Sequence, residues 1–409
     1  MMHAVTTGYN KSYLLAILLP ASMALPGLCS NTPAGAVSSA MSYQSPSASA
    51  RYSDWSAPVN LGPNINSPFN EAHCAITHQG LTLYFSSNRP GGFGAADIYV
   101  SRRPSPDAPW GPPQNLGSSI NGPNGEWPQN ISPDDHWMFF TSDRPGGFGG
   151  LDIWVSHRAD VNDDFGWEAP KNLGPSVNTS ADEADPAYFV DPATGKAILY
   201  LTSTRPGGLG DNDIYQSTQN EDTSFNPPVL VSELSTPHFE GRMTVRYDGL
   251  EIIFPSDRPG GAGGLDFWVS TRQTTSDAWS PPINLSPVVN TPSDERAPNL
   301  SSDGMTLFFQ SPRAGGLGGA DLWMTTRRAP WITSLSVEGR KLFVLGKNFD
   351  DGAVILLNGQ EQRTRNDAQD PSTTLISKKA GRKIHPGDKV QVRDPNGTLS
   401  QEFAFTGLE

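Results

Sequence analysis

Residues 141–158, TSDRPGGFGGLDIWVSHR, decide the fold because the same pattern occurs five times along the chain. In each copy an arginine precedes a Gly-rich run, and an aspartate follows the arginine by eight positions. The other copies are SSNRPGGFGAADIYVSRR (86–103), TSTRPGGLGDNDIYQSTQ (202–219), PSDRPGGAGGLDFWVSTR (255–272) and QSPRAGGLGGADLWMTTR (310–327). Such self-similarity, here at a period of about 55 residues, predicts a repeat architecture.

Two further elements accompany every copy. A glutamate lies upstream of the arginine by 18 residues, or by 22 in the third copy; these residues are Glu71, Glu126, Glu183, Glu240 and Glu295. Further upstream stands an aromatic residue with a proline, starting at Trp55, Trp110, Trp167, Phe225 and Trp279. Each unit therefore predicts four short strands: one after the glutamate, one before the arginine, one from the aspartate, and one carrying the aromatic-proline element.

The order of these elements predicts a closed ring. An isolated aromatic-proline strand at residues 55–62 opens the array, and the last copy ends without one. If the first strand completes the last unit, five whole four-stranded blades result, with no exposed sheet edge. The sequence therefore predicts an all-β fold, a five-bladed β-propeller over residues 51–328.

The repeated Ser-x-x-Arg, Gly-Gly and Asp-Ile-Trp/Tyr pattern resembles the TolB-type WD-like β-propeller repeat family across residues 51–328. That family is functionally broad and includes scaffold and interaction proteins of the bacterial cell envelope. Its known members commonly have six blades, whereas this chain has five copies. The resemblance implies a propeller that binds a partner, without naming the partner.

After residue 328 the composition changes, and PWITSLSVEGRKLFVLGKNFDDGAVILLNGQEQRT (330–364) resembles the start of an IPT/TIG immunoglobulin-like domain. Alternating strands continue to about residue 405. The resemblance implies that residues 329–409 form a small Ig-like β-sandwich. Such modules serve as spacers or adhesion surfaces.

The N-terminus has the layout of an export signal. Lys11 precedes an apolar run at residues 13–28 that contains Pro20 and Pro26, and a Ser/Ala/Thr-rich stretch follows. This predicts a signal peptide at 1–28 and a flexible spacer at 29–50, with no transmembrane helix in the mature protein. We expect a periplasmic or secreted protein; lipid attachment at Cys29 is the less favoured alternative.

Composition narrows the partners. The formal net charge of −13 disfavours nucleic acid, because binding a phosphate backbone requires a basic face. Two cysteines exclude a disulfide framework. The sequence offers no cofactor motif and no metal-ligand spacing, so we expect no cofactor, no bound metal and a monomer that engages a protein or glycan of the cell envelope.

The charged residues of the repeat favour a structural interpretation. Catalysis needs one asymmetric constellation, whereas a residue present once per blade is most simply a brace, an arginine bound to a carboxylate beside the Gly-rich loop. The predicted brace residues are Arg89, Asp97, Arg144, Asp152, Arg205, Asp213, Arg258, Asp266, Arg313 and Asp321.

Positions where the copies differ are candidates for a ligand site. Two residues after each glutamate come His73, Pro128, Asp185, Arg242 and Ala297, which the repeat register places at one height around the axis. The predicted axial ligand-binding cluster is Glu71, His73, Glu126, Glu183, Asp185, Glu240, Arg242 and Glu295. Converging glutamates would raise one another's pKa or hold a cation. If each glutamate instead pairs with an arginine, the ring is neutralised.

No GxSxG, HExxH, Walker or dinucleotide motif occurs, and no catalytic residue is assigned. The main expectation is a non-catalytic scaffold or binding module of the cell envelope. Two alternatives stay open. One is a glycan-active enzyme that uses axial carboxylates, for which Glu126, Asp185 and Glu240 are candidates. The other is a cation-dependent lectin.

Overall fold

The computed structural model describes residues 55–395 and 398–407. The predicted signal peptide, the spacer and Cys29 lie outside the described residues. From Val59 to Thr326 the chain forms twenty strands in five four-stranded antiparallel sheets. These strands are β1 (Val59–Asn60), β2 (Glu71–Ile76), β3 (Thr82–Ser87), β4 (Asp97–Arg102), β5 (Gln114–Asn115), β6 (Glu126–Ile131), β7 (Trp137–Ser142), β8 (Asp152–His157), β9 (Lys171–Asn172), β10 (Glu183–Val190), β11 (Ala197–Ser203), β12 (Asp213–Thr218), β13 (Val229–Leu230), β14 (Thr244–Val245), β15 (Glu251–Ser256), β16 (Asp266–Thr271), β17 (Ile283–Asn284), β18 (Arg296–Leu300), β19 (Thr306–Ser311) and β20 (Asp321–Thr326).

The sheets surround a central channel. Within each repeat the strand after the glutamate is innermost, and it contacts the innermost strand of the next sheet, with β18 contacting β2. We number the blades 1 to 5 by their innermost strands β2, β6, β10, β14 and β18. Apolar residues fill the space between blades; one cluster joins Tyr84 and Ile98 of blade 1 to Met138 and Phe140 of blade 2. The prediction of an all-β propeller is confirmed.

The first strand closes the ring. β1 pairs antiparallel with β20, with Val59 opposite Met324 and Asn60 opposite Trp323. Trp55 lies against Arg327 and is 2% exposed. Blade 5 therefore combines strands from both ends of the repeat array, and β1 covers the edge of β20 that would otherwise be unpaired.

In four blades the repeat also encodes a stack at the aromatic-proline element that leads into the outermost strand. Six residues after the aspartate, an arginine guanidinium lies over the indole of the aromatic-proline element in four blades. These pairs are Arg103 with Trp110 (4.4 Å to the ring centroid), Arg158 with Trp167 (4.6 Å), Arg272 with Trp279 (4.2 Å) and Arg327 with Trp55 (4.7 Å). In blade 3 both positions differ: Gln219 replaces the arginine and Phe225 replaces the tryptophan. The sequence interpretation missed this stack, although the paired substitution in blade 3 is visible in the sequence.

After the propeller the chain forms two further four-stranded sheets. Their strands are β21 (Trp331–Glu338), β22 (Lys341–Lys347), β23 (Val354–Leu357), β24 (Gln360–Glu361), β25 (Thr364–Asn366), β26 (Thr374–Ser377), β27 (Lys389–Arg393) and β28 (Phe403–Ala404). Leu342, Ile355 and Val390 belong to one buried apolar cluster that both sheets share. The immunoglobulin-like assignment of this region stays a prediction. Over the described ranges, no helix has the length and apolar character needed to cross a membrane.

Candidate functional site

The repeated arginine and glutamate form an ion pair in every blade. The distances from arginine Nη2 to glutamate Oε1 are 3.0 Å (Arg89–Glu71), 3.0 Å (Arg144–Glu126), 3.1 Å (Arg205–Glu183), 2.9 Å (Arg258–Glu240) and 2.8 Å (Arg313–Glu295). All five glutamate side chains are fully buried. Antiparallel pairing explains the contact, because it places each glutamate opposite the serine that precedes the arginine by two residues, as in Glu71 opposite Ser87.

Each braced carboxylate has several donors. Around Glu240, the Thr236 backbone N–H donates to Oε2 at 2.9 Å, while the Thr236 and Ser256 hydroxyls donate to Oε1 at 2.6 and 3.1 Å. Burial raises the pKa of Glu240 and lowers the pKa of Arg258, and the ion pair opposes both shifts. The prediction that Glu71, Glu126, Glu183, Glu240 and Glu295 belong to an axial cluster is therefore corrected, because the structure places each in a neutralised pair within its own blade.

The repeated aspartate accepts hydrogen bonds from the Gly-rich loop and does not pair with the repeated arginine. In blade 1 the Asp97 carboxylate accepts from the backbone N–H groups of Phe93 (2.6 Å) and Gly94 (3.1 Å). Asp152, Asp213, Asp266 and Asp321 accept from the equivalent N–H groups. The predicted brace thus separates into two devices, an Arg–Glu pair and an Asp-capped loop.

The five positions two residues after the glutamates do meet around the axis. Arg242 of blade 4 extends across the channel, where its Nη2 donates to the backbone oxygens of Cys74 (2.6 Å) in blade 1 and of Gln129 in blade 2. Because blades 1 and 2 are not neighbours of blade 4, this side chain crosses the axis. Its Nε and Nη1 atoms are buried without a hydrogen-bond partner among the described residues.

His73 and Asp185 lie beside this arginine, on the channel end nearer the Gly-rich loops. Both have positive φ angles, 45° and 59°, at bulges of the innermost strands. Neighbouring blades fix their backbones: His73 N–H donates to Gln310 Oε1 at 3.2 Å, and Asp185 N–H donates to Thr141 Oγ1 at 3.1 Å. A left-handed non-glycine residue is a strained conformation that surrounding structure must hold in place.

Burial and the nearby guanidinium shift these groups in opposite directions. Burial, together with Arg242 and Arg296, lowers the pKa of His73 to about 3. Burial raises the pKa of Asp185, against the opposing effects of Arg242 and of the Thr202 hydroxyl, which donates to Oδ2 at 3.0 Å. Burial also lowers the pKa of Arg242 to about 10. At neutral pH the cluster therefore contains an uncharged imidazole, a carboxyl shifted toward its protonated form, and a cation.

Two residues at this mouth of the channel escaped the sequence interpretation. One residue after the glutamate, three blades have Ala72, Ala184 and Gly241, whereas the other two have Trp127 and Arg296. The Trp127 ring lies 6.4 Å from the His73 ring, centroid to centroid. Arg296 is exposed and pairs with Asp294 at 2.8 Å. The signal that would have found them is the departure from small residues at one repeat position.

Two other kinds of site, a reactive thiol and a metal centre, find little support among the described residues. Cys74 is a buried free thiol whose pKa burial raises to about 11, so it is poorly suited to act as a thiolate. Within the described ranges, no group of three or more His, Cys, Asp or Glu side chains is arranged to hold a metal ion.

Comparison with known proteins gives fold similarities. No protein-family model and no curated protein matches the sequence. Among solved structures, the chain is similar to the catalytic domain of a GH62 α-L-arabinofuranosidase from Coprinopsis cinerea, with 16% identity, a TM-score of 0.43, and coverage of 68% of this chain and 97% of that one. It is also similar to an endo-arabinase from Bacteroides thetaiotaomicron, with 15% identity, a TM-score of 0.45, and coverage of 67% and 98%.

A third similarity is to an exo-β-1,3-galactanase from Phanerochaete chrysosporium, with 13% identity, a TM-score of 0.43, and coverage of 86% of this chain and 94% of that one. The expectation of a non-catalytic scaffold is corrected against these comparisons, because the proteins they name are glycan-active enzymes.

Proposed function

We propose that the protein is a glycan-active enzyme whose reaction takes place at the axial cluster of His73, Asp185 and Arg242. One observation carries the proposal: His73 and Asp185, two of the three ionisable residues among the five equivalent axial positions, have pKa values displaced in opposite directions. Paired groups whose environments separate their pKa values are the usual arrangement of a general acid with a general base.

The roles follow from the protonation states. Asp185, with its raised pKa, donates a proton to the glycosidic oxygen as the leaving group departs. His73, neutral at neutral pH, accepts a proton from the attacking water. Arg242 holds positive charge at the base of the cluster and, together with burial, keeps the imidazole uncharged. This assignment uses one carboxyl group and one imidazole in place of the two carboxyl groups common in glycosidases.

Trp127 supplies a surface for the substrate. Its indole lies beside His73 and is partly exposed at the mouth of the channel. An aromatic face packs against the C–H groups of a sugar ring while the ring hydroxyls face polar groups. Arg296, also exposed at this mouth, contributes hydrogen-bond donors.

The test is hydrolysis of aryl glycosides of L-arabinofuranose, D-xylose and D-galactose, and of arabinan and galactan. Asp185→Asn and His73→Gln are each expected to lower kcat/KM by about 100-fold or more. Asp107→Asn, which changes an exposed carboxylate on an outer loop, is the matched control and should leave it unchanged.

The pH profile separates a catalytic from a structural role for Asp185. A general acid must be protonated, so activity should fall as pH rises through the raised pKa of Asp185, and the acid limb should extend to low pH because the pKa of His73 is about 3. Absence of hydrolysis on every substrate, or full activity of Asp185→Asn, contradicts the proposal.

The finer assignments are part of the same proposal. We assign residues 51–328 to a TolB-type propeller and 329–409 to an IPT/TIG-like domain, supported by the pairing of β1 with β20 and by the separate apolar core of the C-terminal sheets. Export through the signal at 1–28 places the enzyme in the periplasm or outside the cell, where polysaccharides are accessible. Mass spectrometry of the secreted protein tests the cleavage.

A further inference from the structure

The channel has a second mouth, opposite the one that holds His73 and Asp185. It forms a pocket of ≈ 70 Å³ that is open to solvent and lies where the innermost strands end. All five blades contribute to its lining, with Ile76, Ile131, Val190, Val245 and Leu300 among the residues.

Polar side chains separate this pocket from the axial cluster. Arg242 crosses the channel at the level of the Cys74 and Gln129 carbonyl groups. Next to it, Asn299 donates from Nδ2 to the Gln129 oxygen at 3.4 Å and accepts the Ile76 N–H at 3.1 Å. Because Asn299 also lines the pocket, it forms part of the wall between the two mouths. A ligand at the second mouth therefore does not reach Asp185 without displacing these bonds.

The pocket lining is polar but carries no formal charge. Its side chains include seven hydroxyl or carboxamide groups, those of Thr77, Asn130, Ser132, Thr244, Asn299, Ser301 and Ser302, and no Asp, Glu, Lys or Arg. The Thr244 hydroxyl, which lines the pocket, accepts the Leu300 N–H at 3.0 Å. In a chain of formal net charge −13, an uncharged lining favours a neutral, hydroxyl-rich ligand.

Aromatic rings complete the site. Tyr247 is 49% exposed, and its ring lies 5.2 Å from the ring of His78, at an angle of 49°. Tyr188 adds a second phenol, stacked on Phe139 at 4.8 Å. Exposed aromatic faces beside hydroxyl and amide groups are the combination that binds a sugar ring, apolar on its faces and polar at its edges.

Hydrogen bonds between blades preform this rim. The Ser302 hydroxyl of blade 5 donates to the His78 oxygen of blade 1 at 2.7 Å, and the His78 N–H donates to Asp135 Oδ1 of blade 2 at 3.0 Å. Since His78 also contacts Tyr247 of blade 4, turns from four blades are linked around the mouth. A preorganised rim lowers the ordering cost of binding.

We propose that this pocket is a second binding site, for a neutral monosaccharide unit, independent of the axial cluster. The proposal does not depend on the catalytic function proposed above. The experiment is saturation-transfer difference NMR with methyl glycosides of D-galactose, D-xylose and L-arabinose, titrated into the full chain.

Tyr247→Ala and Thr244→Val are each expected to weaken binding at least tenfold. Phe165→Ala, which removes an aromatic ring that is 49% exposed outside the pocket, is the matched control and should bind as the parent protein does. Thermal melts identify a variant that has lost its fold, and Thr244→Ser then replaces Thr244→Val, with binding expected to be retained.

Two results would overturn the proposal. Binding that Asp185→Asn abolishes and Tyr247→Ala spares would place the sugar at the axial cluster alone. No saturation transfer to any of the three glycosides, or stronger transfer to glucuronic acid than to the neutral sugars, would show that the pocket does not select a neutral sugar. If the protein hydrolyses no substrate but binds a sugar in a way that Tyr247→Ala weakens, the catalytic proposal fails and the proposal of a second binding site stands.

Discussion

Two sets of residues in the propeller differ in kind, although every blade contributes to both. At the first position of the innermost strand region all blades have glutamate, and each glutamate is paired with an arginine, as Glu71 is with Arg89. Two positions later every blade has a different residue, and there His73 Nδ1 and two Arg242 nitrogens lack partners among the described residues. Each repeated glutamate is neutralised by an arginine of its own blade, whereas the varied positions place an imidazole and a guanidinium with unpaired nitrogen atoms around the axis.

This difference separates structure from function by a physical criterion. A buried ion pair with every lone pair and proton engaged holds two strands together and is chemically inert. A buried ionisable group that lacks a hydrogen-bond partner has a shifted pKa and can exchange a proton with a ligand. Breaking a brace should therefore damage stability first, and changing an axial residue should damage activity first.

The largest expected effect comes from breaking one brace. Arg258→Met leaves the Glu240 carboxylate buried beside Thr236 and Ser256 without its cation. We expect a loss of about 3 kcal/mol in the free energy of unfolding, because an uncompensated buried charge is costly. Urea unfolding followed by tryptophan fluorescence measures it.

Two further variants test whether the loss of stability comes from an uncompensated buried charge. Arg296→Met removes an exposed ion pair with Asp294 and should cost about 0.5 kcal/mol or less. The double variant Glu240→Gln/Arg258→Met, which no longer buries a charge, should recover part of the loss. Equal losses in Arg258→Met and Arg296→Met would show that the braces are no stronger than surface pairs.

The ring of blades could be predicted from the sequence because its determinants are local. The Arg-Gly-Gly-to-Asp pattern and an unpaired Trp55 strand fix the number of copies and the closure. The partner of each arginine was harder to predict. Asp97 lies eight residues after Arg89, and Glu71 lies 18 residues before it. Strand pairing, which brings Glu71 opposite Ser87, decides between them.

The axial site could be predicted only in part. Register gives the height of His73, Asp185 and Arg242 around the axis, since equivalent residues of equivalent strands lie at one level. It does not give the path of a long side chain. That Arg242 crosses to the Cys74 and Gln129 carbonyl groups of blades 1 and 2 is a property of the assembled ring.

A medium effect is expected at the outer stacks, where blade 3 is the natural exception. Arg103 lies 4.4 Å from the Trp110 ring and donates from Nε to the Gly80 oxygen at 2.8 Å. Arg103→Gln copies the blade 3 residue into blade 1 and should cost about 1–2 kcal/mol, since a partly desolvated cation–π contact is lost.

The reverse change tests whether the stack needs both partners. Gln219→Arg places an arginine opposite Phe225, a weaker ring for cations than tryptophan, and should change stability by less than about 0.5 kcal/mol. Gln219→Arg with Phe225→Trp should gain more than the sum of the two single changes. Additive effects in a double-mutant cycle would contradict a direct contact.

The smallest expected effect has the opposite sign and separates Asp185 from the braced carboxylates. Burial raises the pKa of Asp185 above its usual value of 3.8, so the ionised form is disfavoured in the folded protein. The contribution of Asp185 to stability is therefore complete below pH 3.8 and is lost as pH rises through the raised pKa. Asp185→Asn should accordingly raise Tm at pH 7 by about 2 °C, with the gain vanishing toward pH 3.

Glu240→Gln is the matched comparison. Burial raises the pKa of Glu240 as well, but this substitution leaves the Arg258 guanidinium buried without its carboxylate, so it should lower Tm at pH 7. Thermal melts of both variants between pH 3 and pH 8 provide the test. If Asp185→Asn also lowers Tm at pH 7, then Arg242 stabilises an ionised Asp185 more than burial penalises it. In that case Asp185 is an acceptor at neutral pH, and its role as proton donor fails while the architecture of the channel stands.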